Sequence, residues 1–193
     1  MPTQSWQAMM NAIAMDRQAV YEDYERARRT FHQLLDSASE ADLARPTRGT
    51  KWTNGQLLWH MLFGYVVVRA LLVLVRVFGR LPRGVGQAFA RLLDAGTVPF
   101  DWVNYAGPRG AVKFYGPRRM GAAFDRVLDS LQRRLAAESD ADLARGMYFP
   151  VRWDPFFKDF MTLGDIYRYP TQHFDFHHRQ LTLNGSDGRQ REG

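Results

Sequence analysis

Ser39-Glu40-Ala41-Asp42-Leu43-Ala44-Arg45 returns one hundred residues later as Ser139-Asp140-Ala141-Asp142-Leu143-Ala144-Arg145. Each copy closes a long segment and precedes a tryptophan, Trp52 or Trp153. Each is then followed by a helix start, Thr53-Asn54-Gly55-Gln56-Leu57 or Thr162-Leu163-Gly164-Asp165-Ile166. In the first start, the Thr53 oxygen can accept from the third backbone amide of the helix while Gln56 reaches back, the form of a capping box. The shared order of helix, connection and capped helix reads as two related helix pairs. Two such pairs make an all-α four-helix bundle, and the long connection between them permits a crossover.

The long segments fit that plan. From Ser5 to Leu35, the residues Trp6, Met9 or Met10, Ile13, Val20, Tyr24, Ala27, Phe31 and Leu34 recur at helical spacing, with charged residues between them. Ser37 to Lys51 is polar, carries Pro46 and Gly49, and reads as a connection. The second long helix is expected from Thr53 to about Phe78, and the third from near Pro117, where a first-turn proline has no amide bond to lose. Phe124, Val127, Leu128, Leu131 and Leu135 supply the apolar stripe of the third. Gln87 to Leu93 reads as a short extra helix. The last helix is expected over Thr162 to Leu183, with a kink at Pro170. One domain, residues 1–183, is expected, followed by a polar, flexible tail over 184–193.

Composition narrows the function. The chain has 193 residues and no cysteine, which excludes a disulfide framework, thiolate zinc sites, iron–sulfur clusters and a cysteine nucleophile. The net charge is +6, yet 23 of the 26 basic residues are arginines spread along the chain. With no dense basic run and no nucleic-acid-binding signature, a solvated basic surface is the reading, and no nucleic-acid partner is expected. The segment from Tyr65 to Phe78 is nearly all apolar but contains Arg69 and Arg76, which share a helix face with Arg80 and Arg83. A core helix with an arginine-lined wet stripe fits better than a membrane span. The beginning of the chain lacks the basic and apolar regions of a secretory signal, so a cytoplasmic setting is expected.

The chemistry lies in the histidines. His173 and His177 stand four apart on one helix face and can share an ion. His60 sits among apolar residues on the other capped helix, and if the two helices are neighbours all three imidazoles point inward. Three neutral His ligands leave positions for water or substrate, the pattern of a catalytic metal site. Spacing alone leaves a second reading open, in which His60 is a hydrogen-bonded core residue and the pair is a surface feature. His178 is turned about 100° away from His177 and His32 stands alone, so both are set aside.

Trp52-Thr53, Gly55, Leu57-Leu58-Trp59-His60-Met61, then Thr162-Leu163-Gly164-Asp165 and His173 with His177-His178-Arg179-Gln180-Leu181 resemble the DinB/YfiT-like superfamily. That family includes bacillithiol and mycothiol S-transferases and the mycothiol-dependent maleylpyruvate isomerase. The resemblance covers most of the chain. It implies a DinB-like four-helix bundle in up-down-down-up order, often dimeric, with a divalent metal, zinc or nickel foremost, held by His60, His173 and His177. It implies transfer of a low-molecular-weight thiol, mycothiol in an arginine-rich, lysine-poor chain such as this, to an electrophilic small-molecule substrate. Metal-dependent hydrolysis or isomerisation uses the same constellation, and a non-catalytic ligand- or partner-binding bundle is the third reading. Gln56, Tyr169 and Gln180 lie beside the histidines and are the candidate catalytic or supporting residues, with aromatic core packing the plainer role for Tyr169. Arg109, Arg118 and Arg119 are candidates for carboxylate or phosphate recognition, with a solvated loop as the plainer reading. The stretch from Val66 to Arg118 is longer and more apolar than a plain bundle needs, which suits a lid, a dimer surface or a substrate pocket.

Overall fold

A computed structural model of the chain describes residues 16–97, 105–110 and 116–183. Four long helices form its frame. They are α1 (Arg17–Ser37), α3 (Asn54–Phe78), α5 (Pro117–Ala137) and α7 (Leu163–His178). Between them lie the short α2 (Glu40–Ala44), α4 (Arg83–Ala95) and α6 (Asp140–Leu143). A helical segment covers residues 105–110. Strands β1 (Gly146–Tyr148) and β2 (Phe160–Thr162) pair antiparallel, Gly146 opposite Thr162.

Contacts along the helices fix their directions. Tyr21 on α1 donates to the Gln132 carbonyl of α5, while Arg28 meets Asp125 and Asp129, so α1 and α5 run antiparallel. On α7, Tyr24 bonds to the Tyr167 carbonyl and Phe31 lies against Phe174, so α1 and α7 run parallel. His60 meets His177 and Tyr65 meets Thr171, so α3 opposes α7. Tyr65 packs on Phe124 and Arg76 pairs with Glu138, so α3 and α5 are parallel. The order is therefore up-down-down-up. Since α3 and α5 are consecutive yet parallel, the chain must cross the length of the bundle between them, and α4 lies in that crossover.

The repeat shapes both halves. Ser39 and Ser139 each cap a short helix, and Thr53 and Thr162 each form a full capping box, with Gln56 and Asp165 as the returning acceptors. The amide of Asn54 donates to the Arg45 carbonyl at 2.9 Å, and that of Leu163 to the Arg145 carbonyl at 2.7 Å. The correspondence extends into the core. Val20, Tyr24, Ala27, Phe31 and Leu35 on α1 are all buried, and so, one hundred positions on, are Met120, Phe124, Val127, Leu131 and Leu135 on α5. Burial of such side chains contributes about 1.5–3 kcal/mol each for the larger ones.

Some expectations change. The last helix ends at His178, capped by Arg179, so Gln180 to Leu183 lie beyond it. Leu181 and Leu183 are nonetheless buried, because Arg45 donates to the Thr182 carbonyl and Asn54 bonds the Thr182 amide, tying this segment to the bundle. The small sheet adds β structure to a chain read as all-α; three-residue strands carry too few positions for an alternating pattern to register. The Ser37–Lys51 connection contains α2, and the extra helix is longer at both ends than Gln87–Leu93. The part of the first helix expected before Asp16, most of the aromatic stretch after Thr97, and the tail from Asn184 fall outside the described residues.

Helix α3 is long and apolar enough to cross a membrane by length and composition. In the bundle it is the core helix: Leu57, Leu58, Met61, Tyr65, Val68, Leu72 and Val75 are buried. Arg69 and Arg80 are exposed, and Arg76 reaches the buried Glu138. Val66, Val73 and Val77 are the large apolar residues it leaves exposed.

Candidate metal centre

His60 lies two turns into α3, where its capping box has already set the backbone, and is buried. His173 and His177 project from one face of α7, four residues apart, toward α3. Because α3 and α7 pack side by side, the three rings converge, with centroids 4.5–4.8 Å apart. One ring nitrogen from each of the three lies within 4.8 Å of the others. The Nε2 atoms of His60 and His173 are 3.1 Å apart.

Glycine at position 64 makes this possible. A Cβ there would stand 2.8 Å from Nδ1 and 3.0 Å from Cε1 of His173, closer than side chains tolerate. The glycine lets the imidazole lie against the α3 backbone. On the other side, the Trp52 ring lies 4.5 Å from that of His60. The helical segment over residues 105–110 lies against Trp52. A Cβ at Gly107 would meet the Trp59 ring at 3.6 Å, the Trp52 Nε1 donates to the Tyr105 carbonyl, and the Arg109 guanidinium lies 3.8 Å over the Tyr105 ring.

Electrostatics keep the imidazoles neutral. Burial pushes His60 down to about 3, and the nearby His177 adds to the push. Burial also holds His173 well below its ordinary value, with His60 and His177 contributing. His177 is lowered by burial and partly restored by its bond to Gln180. Neutral imidazole is the form that binds a metal, since the lone pair is free.

The hydrogen bonds agree with a donor set. His177 Nδ1 lies 2.7 Å from Gln180 Oε1, an acceptor, so the ring proton sits on Nδ1 and Nε2 is left as the bare donor atom. The Nδ1 atoms of His60 and His173 are buried with no hydrogen-bond partner among the described residues. With a proton on Nε2 of either ring, one bond joins the pair. With protons on both Nδ1 atoms, two Nε2 lone pairs face one space, and a cation selects that state. A separation of 3.1 Å is close to the roughly 3.3 Å between nitrogens around a tetrahedral zinc ion. These residues fit a divalent ion.

The other candidates take clear places. Gln56 Oε1 accepts the Thr53 amide at 3.1 Å, so its carbonyl oxygen serves the helix cap. The buried Tyr169 donates its hydroxyl to Asp154 Oδ2 at 2.9 Å. Gln180 orients His177. His178 stays outside the cluster, its ring near Phe174, and His32 meets Asp125 across the α1–α5 interface. Arg118 and Arg119 line a cavity of about 880 Å³ beside His32, separate from the three histidines.

Asp154 is the neighbour that sequence reasoning missed. It lies in the turn between β1 and β2, and its Oδ2 is 3.7 Å from His173 Nε2. Burial pushes its carboxyl up, against bonds from the Phe156 amide and Tyr169. The one sequence signal was its position next to Trp153, the tryptophan that follows the second repeat.

The family profile described as the DinB superfamily matches residues 23–181. Among solved structures, the fold is similar to that of YfiT from Bacillus subtilis, described as "a probable metal-dependent hydrolase with an unusual four-helix bundle topology". The TM-score is 0.57 at 16% identity, over 86% of this chain and 83% of that one, a likeness of fold. Among curated proteins none matches.

Proposed function

The chain belongs to the DinB superfamily, and on that premise we propose that it is a metal-dependent enzyme that transfers a low-molecular-weight thiol, of the mycothiol type, to an electrophilic small molecule. The observation that carries the reading is the convergence of three imidazoles, those of His60 and His173 buried and that of His177 half-buried, on one space, where burial favours the neutral form of each. His60, His173 and His177 would hold the ion, with zinc or nickel the expected metals. When bound, such an ion acts as a Lewis acid and lowers the pKa of a coordinated thiol or water.

The chain's own residues supply the rest. Gln180 fixes the tautomer of His177. Trp52 packs its ring on that of His60 and donates its indole N–H to the Tyr105 carbonyl, which places the segment over 105–110 near the site. The absence of cysteine suits an enzyme whose sulfur arrives with a co-substrate. The proposal includes a cytoplasmic setting and a homodimer.

Hydrolysis is the second reading, favoured by the description of YfiT and by the same donor set. The two are separated by incubating the metal-loaded protein with mycothiol and an aryl halide, and in parallel with ester and amide substrates. Thioether formation that requires the metal and is lost in His177→Ala supports thiol transfer. Metal-dependent cleavage with no thioether formed would replace it with hydrolysis.

A further inference from the structure

Three carboxylates in the described part of the chain are nearly buried, and two have a cation. Asp42, 7% exposed, meets Arg45 at 2.7 Å. Glu138, also 7% exposed, pairs with Arg76. Asp154 is 12% exposed, and its one ionisable partner in an ion-pair geometry among the described residues is His173, which burial keeps neutral. An ionised carboxylate removed from water without a countercharge is costly, by several kcal/mol even after relaxation.

Its position is nevertheless tightly set. The Phe156 amide donates to Oδ1 at 2.9 Å, and the Tyr169 hydroxyl donates to Oδ2 at 2.9 Å. The turn is closed by Phe157 N on the Asp154 carbonyl and Phe149 N on the Asp159 carbonyl, and Trp153 Nε1 ties it to Thr97. These bonds aim Oδ2 at Nε2 of His173, the nitrogen that faces His60. Tyr169, which aims it, sits one turn before His173 on the same helix. A divalent cation among three neutral imidazoles leaves two positive charges unbalanced, and Asp154 is the buried negative charge beside them.

We infer that Asp154 belongs to the metal centre as its fourth protein donor, through Oδ2, so that the protein donors are three histidines and one carboxylate, and a thiol or water would join them as a fifth ligand. The assignment rests on the metal reading of the histidines. It makes Tyr169 a positioning residue that holds the carboxylate toward the ion.

The test is zinc affinity by competition with a chromogenic chelator, together with the visible spectrum of the cobalt(II)-substituted protein. Asp154→Asn should lower zinc affinity by more than about a hundredfold, beyond the 10–100-fold typical of outer-shell changes, and shift the cobalt(II) bands. The metal-free variant should melt at or above the temperature of the metal-free parent, since a buried charge has gone. Tyr169→Phe should lower affinity roughly tenfold and leave the bands in place. Unchanged cobalt(II) bands in Asp154→Asn, or zinc affinity within threefold of the parent, would overturn the assignment. So would a Tyr169→Phe variant that binds zinc as the parent does. A parent that takes up no zinc defeats the metal reading and this one together; a parent that binds, with Asp154→Asn binding equally well, defeats this one alone.

Discussion

The two halves of the bundle begin their second helices alike and then part. Thr53 and Thr162 build the same capping box, and the next amide in each bonds to the same arginine carbonyl of the repeat. Seven residues past the threonine, the first half carries His60 and the second Tyr169. Eleven past it, the first carries Gly64 and the second His173. The position that is empty of side chain in one half is filled by a ring in the other, and the two meet across the α3–α7 interface. The site is thus made by divergence between equivalent positions on a shared frame. The interface between α1 and α5 shows the same pairing without a three-histidine cluster. There, His32 bonds to Asp125, and its counterpart one hundred residues on, Gln132, bonds to Glu25.

The largest effect expected concerns protons. The ordinary value for His60 is 6.5 and its folded value about 3, so the unfolded chain binds the proton first. Its contribution to stability is full above about pH 6.5 and declines as pH falls toward 3, at roughly 1 kcal/mol per unit. Denaturant titrations of the metal-free protein at several pH values should show this loss on the acid side. The loss should be much smaller in a variant with His60 and His173 both replaced by Gln, where His177 and His178 keep a share of it, and a loss as large as the parent's would break the assignment to this half-to-half interface.

Gly64→Ala comes next. Helix propensity favours alanine by about 1 kcal/mol, but the methyl group meets a buried ring with no room to yield, and overpacking costs about 1–3 kcal/mol. The variant should be less stable, and its zinc affinity at least tenfold weaker, by equilibrium unfolding and chelator competition.

The caps should respond equally. Thr53→Ala and Thr162→Ala should each cost about 1 kcal/mol in denaturant unfolding, because both threonines accept an amide in the same box. A difference of more than 1 kcal/mol between them would show that the halves are not equivalent at the cap.

Gly121→Ala is the smallest. A Cβ there would stand 2.9 Å from His32 Cε1, yet the His32 side chain is 39% exposed and can swing outward. Propensity then offsets the crowding, and the change in stability should fall within about 0.5 kcal/mol of zero. Gly64 and Gly121 therefore pose one steric question with opposite answers, decided by burial.

The legible parts of this fold were local. The capping boxes, the apolar stripes of α5 and the seven-residue repeat are written in spacing, and the four long helices follow from them. The end of α7 at His178 was not legible, since the buried Leu181 and Leu183 continue an apolar pattern that tertiary bonds, not helix, hold in place. The His173–His177 pair was visible from its spacing on one helix, whereas His60 needed the neighbourhood of α3 and α7, which no local pattern states. Asp154 was hidden for a stronger reason. Its meeting with His173 depends on a turn folding back between two strands too short to be read.

The central claim is that the three imidazoles hold a divalent ion. Elemental mass spectrometry on untagged protein, with His60→Ala and His177→Ala alongside and circular dichroism as a check on folding, tests it most directly. The account predicts one divalent ion per chain in the parent and none in either folded variant. A parent that stays free of metal after reconstitution at neutral pH, or folded variants that keep the ion, would contradict it.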